Sequence, residues 1–450
     1  MQYEDFKNAV IAAAQQAGIT EYELYSVSNS SLEADTFRQE LDGFSSSISG
    51  GVCLRCIVDG KMGYSATELL NEEQAALLVT RAAENARTID SADPSPLYQG
   101  GGVYASISPT AVPAADAQQL IDSALACQKK AYGLDARVAD GTSSSFCSAE
   151  GTVRIYNSHG VDLQNTIRYG AGFVQAVVED SGEKYTGFSY LVGDTGRMDF
   201  DLLAQQAVDK AVATIGAVPM RSGKYPVVID KEQMINLLGT FCSVFSAENA
   251  QQGLSLLQGK EGETIAAPCV TLTDDPLYPG SYVPAPFDAE GVPTQCKNIV
   301  QQGVLQTLLH NLKTAHKAGI ASTGNAAKGG YSSNISIAPY TFYLQPGNST
   351  AEQLMQQAGN GVYLTELKGL HAGANAVTGD FSLESSGFLI QDGQKGAPVR
   401  SFTVAGNFFE LLRQVEAVGN DLAFDMPSGF TVFGSPSVLI RELSVAGNEA

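Results

Sequence analysis

Residues 286–311 read PFDAEGVPTQCKNIVQQGVLQTLLHN. Gly291 and Pro293 punctuate the entry. Residues 294–300 mix polar and apolar side chains as a strand does, and Gln301-Gln302-Gly303 supplies a tight turn in which glycine takes a positive φ. Residues 304–309 then run back. The pattern is a β-hairpin followed by a polar loop, and it has no helical period. A second run has the same character: GLHAGANAVTGDFS at 369–382, then GFLIQDG at 387–393. Two glycine-dense, strand-flanked stretches imply close backbone approaches and suggest the walls of a cleft.

Working outward, residues 222–450 form a third, strand-rich region. Residues 225–229 read as a buried strand. Residues 231–245 read as a helix with Met234, Ile235, Leu237, Leu238, Phe241 and Cys242 as its apolar positions. From 264 onward short strands and turns dominate, and a barrel-like domain is expected. Ahead of it lie two units of one plan. Residues 3–16 are a helix with Phe6, Val10, Ile11 and Ala14 at helical spacing, closed by Gly18. Strands are expected at 21–27, 31–41, 51–59 and 61–66, then a helix from Asn71 to about 85. A proline- and glycine-rich linker covers 94–113. The order then repeats: a helix at 115–132, strands at 136–140, 143–149, 152–157, 162–178 and 183–191, and a helix at 198–215. The fold class is α+β: two N-terminal helix–strand–helix units, domains 1–92 and 112–218, followed by the barrel-like domain 222–450.

At 450 residues and 44% apolar composition the chain can bury substantial cores. It has no run of about 20 apolar residues, so no membrane span is expected. Its start carries acids at once, so no signal peptide is read there. A net charge of −21 repels a phosphate backbone, which disfavours a nucleic-acid partner. Seven cysteines are scattered. The only close pair, Cys53 and Cys56, points to opposite faces of a strand and cannot easily share a metal. Buried structural thiols in a reducing cytoplasm are the expectation.

Several segments carry a resemblance: FDAEG at 287–291, STGN at 322–325, TEL at 365–367, GLH at 369–371, TGDFS at 378–382, AGN at 405–407 and VGND at 418–421. In this order they resemble the TldD/PmbA family, once called modulators of DNA gyrase and now regarded as peptide-cleaving metalloproteases. The pattern is closer to the PmbA branch, also called TldE, than to the TldD branch. The resemblance implies a β-rich C-terminal domain and a role in trimming leader peptides or degrading unfolded small proteins.

A zinc protease of the TldD branch uses His-Glu-x-x-x-His on one helix, with two histidines on the metal and the glutamate polarising water. Here His159, His310, His316 and His371 are followed by Gly, Asn, Lys and Ala, so the motif is absent. By register with residues 259–268 its ligand positions fall near Leu238, Gly239 and Ser243. The cysteine ligand that the TldD branch places after Gly-Asn-Asp is missing as well, since no cysteine follows Cys296. No metal site and no catalytic residue are therefore assigned to this chain. The resemblance implies zinc in a TldD-like partner subunit, with an unfolded peptide as substrate.

His371 and Asp380, inside the resemblance segments, are the candidate cleft residues. His310 and His316 read as surface or capping histidines, and His159 as a turn residue. The acid pairs Asp274-Asp275 and Asp288/Glu290 fit turn-fixing side chains better than a cation site. No Gly-x-Ser-x-Gly elbow and no P-loop occur. Two other readings stay open: an autonomous metallopeptidase with an unrecognised site, and a homodimeric peptide-binding protein without catalysis.

Overall fold

The computed structural model describes residues 1–90, 95–107 and 112–447. The expected linker 94–113 and the boundaries at 92 and 450 thus lie partly outside the described residues. The first unit runs α1 (Tyr3–Gln16), β1 (Glu21–Phe37), β2 (Glu40–Val58), β3 (Lys61–Thr67), α2 (Glu72–Thr88). The second runs α3 (Ala117–Leu134), β4 (Ser143–Asn157), β5 (Asp162–Asp180), β6 (Glu183–Gly193), α4 (Phe200–Ala213). Their strands join in one antiparallel sheet of order β3-β2-β1-β4-β5-β6, with β1 against β4 at the seam.

The repeat is physical as well as topological. In each unit the third strand carries a glycine beneath the second helix. A Cβ on Gly63 would stand 2.0 Å from the Ala82 carbonyl, and one on Gly187 would stand 2.1 Å from that of Ala207. Only glycine lets helix and strand approach so closely.

The strands are longer than the sequence suggests. The breaks expected at 28–30 and 42–50 are absent: residues 28–30 continue β1 between β2 and β4, and residues 42–50 continue β2 along β1. The gap expected between 149 and 152 is likewise absent. Residues 136–140, expected as a strand, make only the isolated bridge Val138–Val178.

The sheet has two different faces, as alternation requires. Tyr22, Leu24, Val52, Leu54 and Cys56 pack under α1 and α2. Residues between them, Glu23, Tyr25 and Arg55, point the other way, toward the C-terminal domain.

That domain contains β7 (Val218–Pro219), β8 (Gly223–Ile229), α5 (Lys231–Phe241), a 3-10 turn (Cys242–Phe245) and α6 (Ala247–Gln251). Next come β9 (Leu272–Asp274), β10 (Lys297–Gln301), β11 (Val304–Leu305), α7 (Leu312–Ala318), β12 (Ala326–Ala327), β13 (Ser336–Ile337) and β14 (Thr341–Leu344). It ends with α8 (Ala351–Ala358), β15 (Gly361–Lys368), α9 (Leu370–Gly373), β16 (Asp380–Gln391), β17 (Gln394–Asn407), α10 (Phe408–Arg413), β18 (Val415–Val418), β19 (Ala423–Phe424), β20 (Val432–Ser435) and β21 (Val438–Ala446).

Strands β21, β8, β15, β16 and β17 close on themselves through a β17–β21 ladder and form the expected barrel. A second sheet runs β11-β10-β9-β14-β20-β19. Its β10–β11 hairpin turns at Gln302 (φ 48°) and Gly303 (φ 83°), as the quoted stretch predicts. Helix α5 packs on β20 of this sheet and on β15 of the barrel. The Phe241 ring at its end stacks on Phe408, with centroids 4.6 Å apart. The expected helix 231–245 is thus α5 plus the 3-10 turn.

Candidate functional site

Helix α5 occupies the position where the resemblance would put a zinc motif. Its N-terminus is held by two acids, Asp230 directly and Asp421 through the Ser437 hydroxyl. Asp230 caps it, accepting from the Glu232 N–H at 2.9 Å and from the Tyr363 hydroxyl at 2.5 Å. Burial pushes the Asp230 pKa up. Ser437 accepts from the Lys231 N–H at 3.2 Å and donates its hydroxyl to Asp421 at 2.8 Å. The Gly419-Asn420-Asp421 run therefore fixes the start of α5.

Further along, Leu238 is fully packed in the domain core. A Cβ on Gly239 would touch the Phe433 ring at 3.4 Å. Ser243 sits in the 3-10 turn, where its carbonyl accepts from the Asn249 amide at 2.9 Å. A leucine, a glycine and a serine hydroxyl do not make a zinc donor set. The residues present do not fit the metal of the catalytic branch. Among the described residues no three His, Cys, Asp or Glu side chains are grouped to hold a metal elsewhere.

His371 lies exposed on α9, and Asp380 lies exposed at the start of β16. Asp380 accepts from the Asn407 amide at 2.9 Å, and this bond with the nearby Thr378 hydroxyl lowers its pKa. The backbone links the two segments: the Asn375 N–H donates to the Asp380 carbonyl at 2.8 Å.

The other histidines separate. His316 is exposed at the end of α7. His310, read from sequence as a surface or capping residue, is instead buried. Its carbonyl accepts from Ser322, Thr323 and Asn325, which ties the 322–325 segment to the hairpin. Burial lowers the His310 pKa, and its Nδ1 has no hydrogen-bond partner. His159 is a turn residue, as expected, and its N–H donates to Asn157. Cys56 is buried under the helices while Cys53 faces the other way, as strand alternation demands. Cys269 and Cys296, expected to be buried, are exposed.

The most concentrated electrostatics lie where the quoted stretch meets the N-terminal sheet. Arg55 of β2 makes a bidentate pair with Glu23 of β1: Nε to Oε1 at 2.7 Å and Nη2 to Oε2 at 2.9 Å. Its Nη1 reaches Glu290 Oε1 at 3.2 Å. The second Glu290 oxygen accepts from the Leu312 N–H at 2.7 Å, at the N-terminus of α7. All three side chains, and Asp288, are between 1% and 4% exposed.

Asp288 accepts from the N–H groups of Glu290 (2.9 Å), Val292 (3.0 Å) and Ala326 (3.0 Å). It is a turn-fixing aspartate, as the sequence reading holds. Burial, reinforced by the Glu290 charge, pushes its pKa up to about 8 against those three donors. Burial also raises the Glu290 pKa. The Asp274-Asp275 pair likewise fixes backbone: Asp274 accepts from the Tyr340 N–H at 2.7 Å and pairs with Lys297, and Asp275 accepts from the Leu277 N–H at 3.1 Å. Glu290 departs from that reading, because it is an ion-pair partner across domains.

A cleft of about 360 Å³ opens onto this centre, with Arg55, Tyr64, Glu248, Glu290 and Asn311 in its wall. Sequence reasoning did not single out Glu23 or Arg55. The available signal was one charge set among apolar neighbours in each strand, Tyr22-Glu23-Leu24 and Leu54-Arg55-Cys56.

Models of the PmbA/TldA metallopeptidase family match in three parts: domain 1 at residues 22–86, the central domain at 109–215 and the C-terminal domain at 222–447. A protein named "Metalloprotease" from Methanothermobacter thermautotrophicus is 30% identical over 420 residues, 89% of each chain. "Metalloprotease PmbA" of Escherichia coli O157:H7 is 28% identical over 337 residues, 73% of this chain and 70% of that one. A crystal structure from Thermotoga maritima, titled as a modulator of a DNA gyrase, superposes with a TM-score of 0.90 at 31% identity, over 99% of this chain and 100% of that one. The chain belongs to the PmbA/TldD family of metallopeptidases.

Proposed function

We propose that this chain is the TldE-like, zinc-free and non-catalytic subunit of a two-component cytoplasmic metallopeptidase. A TldD-like subunit brings the zinc, and this chain completes the chamber that holds an extended, unfolded or leader peptide for cleavage. One observation carries the reading: α5 is firmly capped, while the ligand positions on it and on the 3-10 turn after it hold Leu238, packed in the core, Gly239, facing Phe433, and Ser243. A frame kept without its donors suits a subunit that shapes the chamber. Pairing along strand edges would let such a chamber hold peptides without sequence preference. His371 and Asp380 are the candidate residues on this chain's side of that chamber.

The test is cleavage of an unstructured peptide by this chain, by a TldD-like chain and by the two together. Inertness alone and faster cleavage by the mixture than by the TldD-like chain support the proposal. Cleavage by this chain alone would favour the autonomous metallopeptidase. Peptide binding without cleavage, even with the TldD-like chain present, would favour the peptide-binding protein.

A further inference from the structure

Lys328 of the C-terminal domain is held against Cys53 of the N-terminal sheet. Cys53 lies opposite Tyr25 in the β1–β2 ladder, on the face turned toward the C-terminal domain. Lys328 follows β12, and the chain is pinned to that face on both sides of it. Before it, Ala326 packs in one apolar cluster with Tyr25 and Ile155, and its N–H donates to Asp288 at 3.0 Å. After it, the Tyr331 ring covers Gly51 of β2, where a Cβ would stand 2.6 Å from the ring, and the Tyr331 hydroxyl donates to Glu68 at 2.6 Å. Between these anchors the Lys328 Nζ stands 5.1 Å from the centre of the Tyr25 ring and within hydrogen-bonding reach of the Cys53 thiol.

Other thiols meet oxygens. Cys127 and Cys269 donate to the carbonyls of Phe200 and Val415, and Cys296 faces Asp275. An amine is a different neighbour, because it is a nucleophile toward oxidised sulfur. Burial, with the Arg55 charge adding to it and Glu23 opposing, lowers the Lys328 pKa and so favours the free amine. Burial raises the Cys53 pKa, so the thiol keeps its proton until a base takes it, and the Lys328 amine is placed to do so. Cys53 is 4% exposed, but Lys328 is half-buried and Gly329 beside it is exposed, so a small oxidant can approach from the lysine side.

We propose that Cys53 and Lys328 form a reversible sulfenamide cross-link when the protein meets hydrogen peroxide. The Cys53 sulfur attacks one peroxide oxygen, the O–O bond breaks, and the departing hydroxide leaves as water with the thiol proton. The sulfur is then a sulfenic acid. The Lys328 nitrogen attacks that sulfur: an S–N bond forms, the S–O bond breaks, and a second water leaves with one amine proton. Sulfur has lost two electrons, and peroxide has become two waters. An added thiol attacks the linked sulfur, frees the amine, and a second thiol restores Cys53 as its disulfide leaves. The link joins β2 covalently to the C-terminal domain beside the Arg55–Glu290 pair, whether or not this chain carries zinc.

The test treats the reduced full chain with hydrogen peroxide, alkylates the remaining thiols and maps its peptides by mass spectrometry. The peptides holding Cys53 and Lys328 should appear as one species, lighter by two hydrogens (about 2 Da) than the two together. Dithiothreitol should separate them. Lys328→Met, checked for an intact melting transition, should give no linked species and a severalfold rise in dimedone tagging of Cys53, because the sulfenic acid is no longer consumed. Lys328→Arg, which keeps the charge but cannot supply a free amine, should behave the same way. Cys53 remaining an alkylatable thiol after exposed Cys269 and Cys296 are oxidised, or an oxidised Cys53 with the Lys328 peptide still free, overturns the proposal.

Discussion

Replacing Arg55 by methionine should be among the most damaging single changes in this chain. The side chain keeps its length but loses its charge, and Glu23 and Glu290 remain at 1% and 3% exposure without their shared cation. Three charge-assisted bonds of 2.7, 2.9 and 3.2 Å disappear together. Removing one partner of a buried ion pair costs about 3–5 kcal/mol, chiefly from the charges left behind. At roughly 2–4 °C per kcal/mol for a unit of this size, the melting transition of the N-terminal part should fall by about 10 °C or more.

The sign with pH is fixed. Without Arg55 the folded-state pKa of the stranded carboxylates rises above the unfolded value of about 4.3, so the fold favours their protonated forms. The variant's deficit against the unmodified protein should therefore be smallest near pH 5 and grow as pH rises through those raised values. Adding Glu23→Gln and Glu290→Gln should restore most of the stability, since the triple variant buries no charge there. Differential scanning calorimetry at several pH values measures all of this. A deficit below about 1 kcal/mol, or one independent of pH and not rescued by the paired glutamines, would refute the assignment of this centre as the ionic tie between domains.

Other expectations follow from single contacts. The Asp288 pKa is raised to about 8, above its unfolded value of about 3.9. Its contribution is thus complete below about pH 4 and is lost as pH rises through 8. Asp288→Asn should cost about 1 kcal/mol below about pH 4, where the native side chain is protonated in both states, and should flatten the fall in melting temperature between about pH 4 and 8. Gly63→Ala and Gly187→Ala each drive a methyl against a helix carbonyl, and each should cost about 1–3 kcal/mol in denaturant titration. Equal cost in both would reflect the shared plan of the two units. Tyr363→Phe removes the 2.5 Å donor to buried Asp230 and should cost about 1.5–3 kcal/mol, with faster hydrogen exchange at the start of α5.

The two N-terminal units were legible because their helices show apolar spacing and their hairpins show turn residues. Strand lengths were not, because the serines of 28–30 and the serines and glycines of 42–50 look like breaks when they are sheet. The Gln302-Gly303 turn was readable from local backbone preference alone. Barrel closure was less so, since it depends on the β17–β21 ladder between residues 403–405 and 444–446, which no local pattern reports. The vacated ligand positions at 238, 239 and 243 could be found from the resemblance, but Phe433 covering Gly239 arrives from nearly two hundred residues away. Asp288 as a turn-fixing residue followed from its glycine and proline neighbours. Glu290 as an ion-pair partner did not, because Arg55 lies on another domain. His310 was misplaced for a related reason: its backbone is held by residues 322–325, a tertiary contact that no local pattern reports.

The most direct measurement is zinc content, by elemental mass spectrometry, of the purified full-length chain after exposure to zinc and gel filtration, alone and after mixing with a TldD-like chain. Zinc well below one equivalent on this chain alone, with stoichiometric zinc following the TldD-like chain in the mixture, is the predicted result. One tightly held zinc per copy of this chain alone would contradict the proposal that it is the zinc-free half of the peptidase.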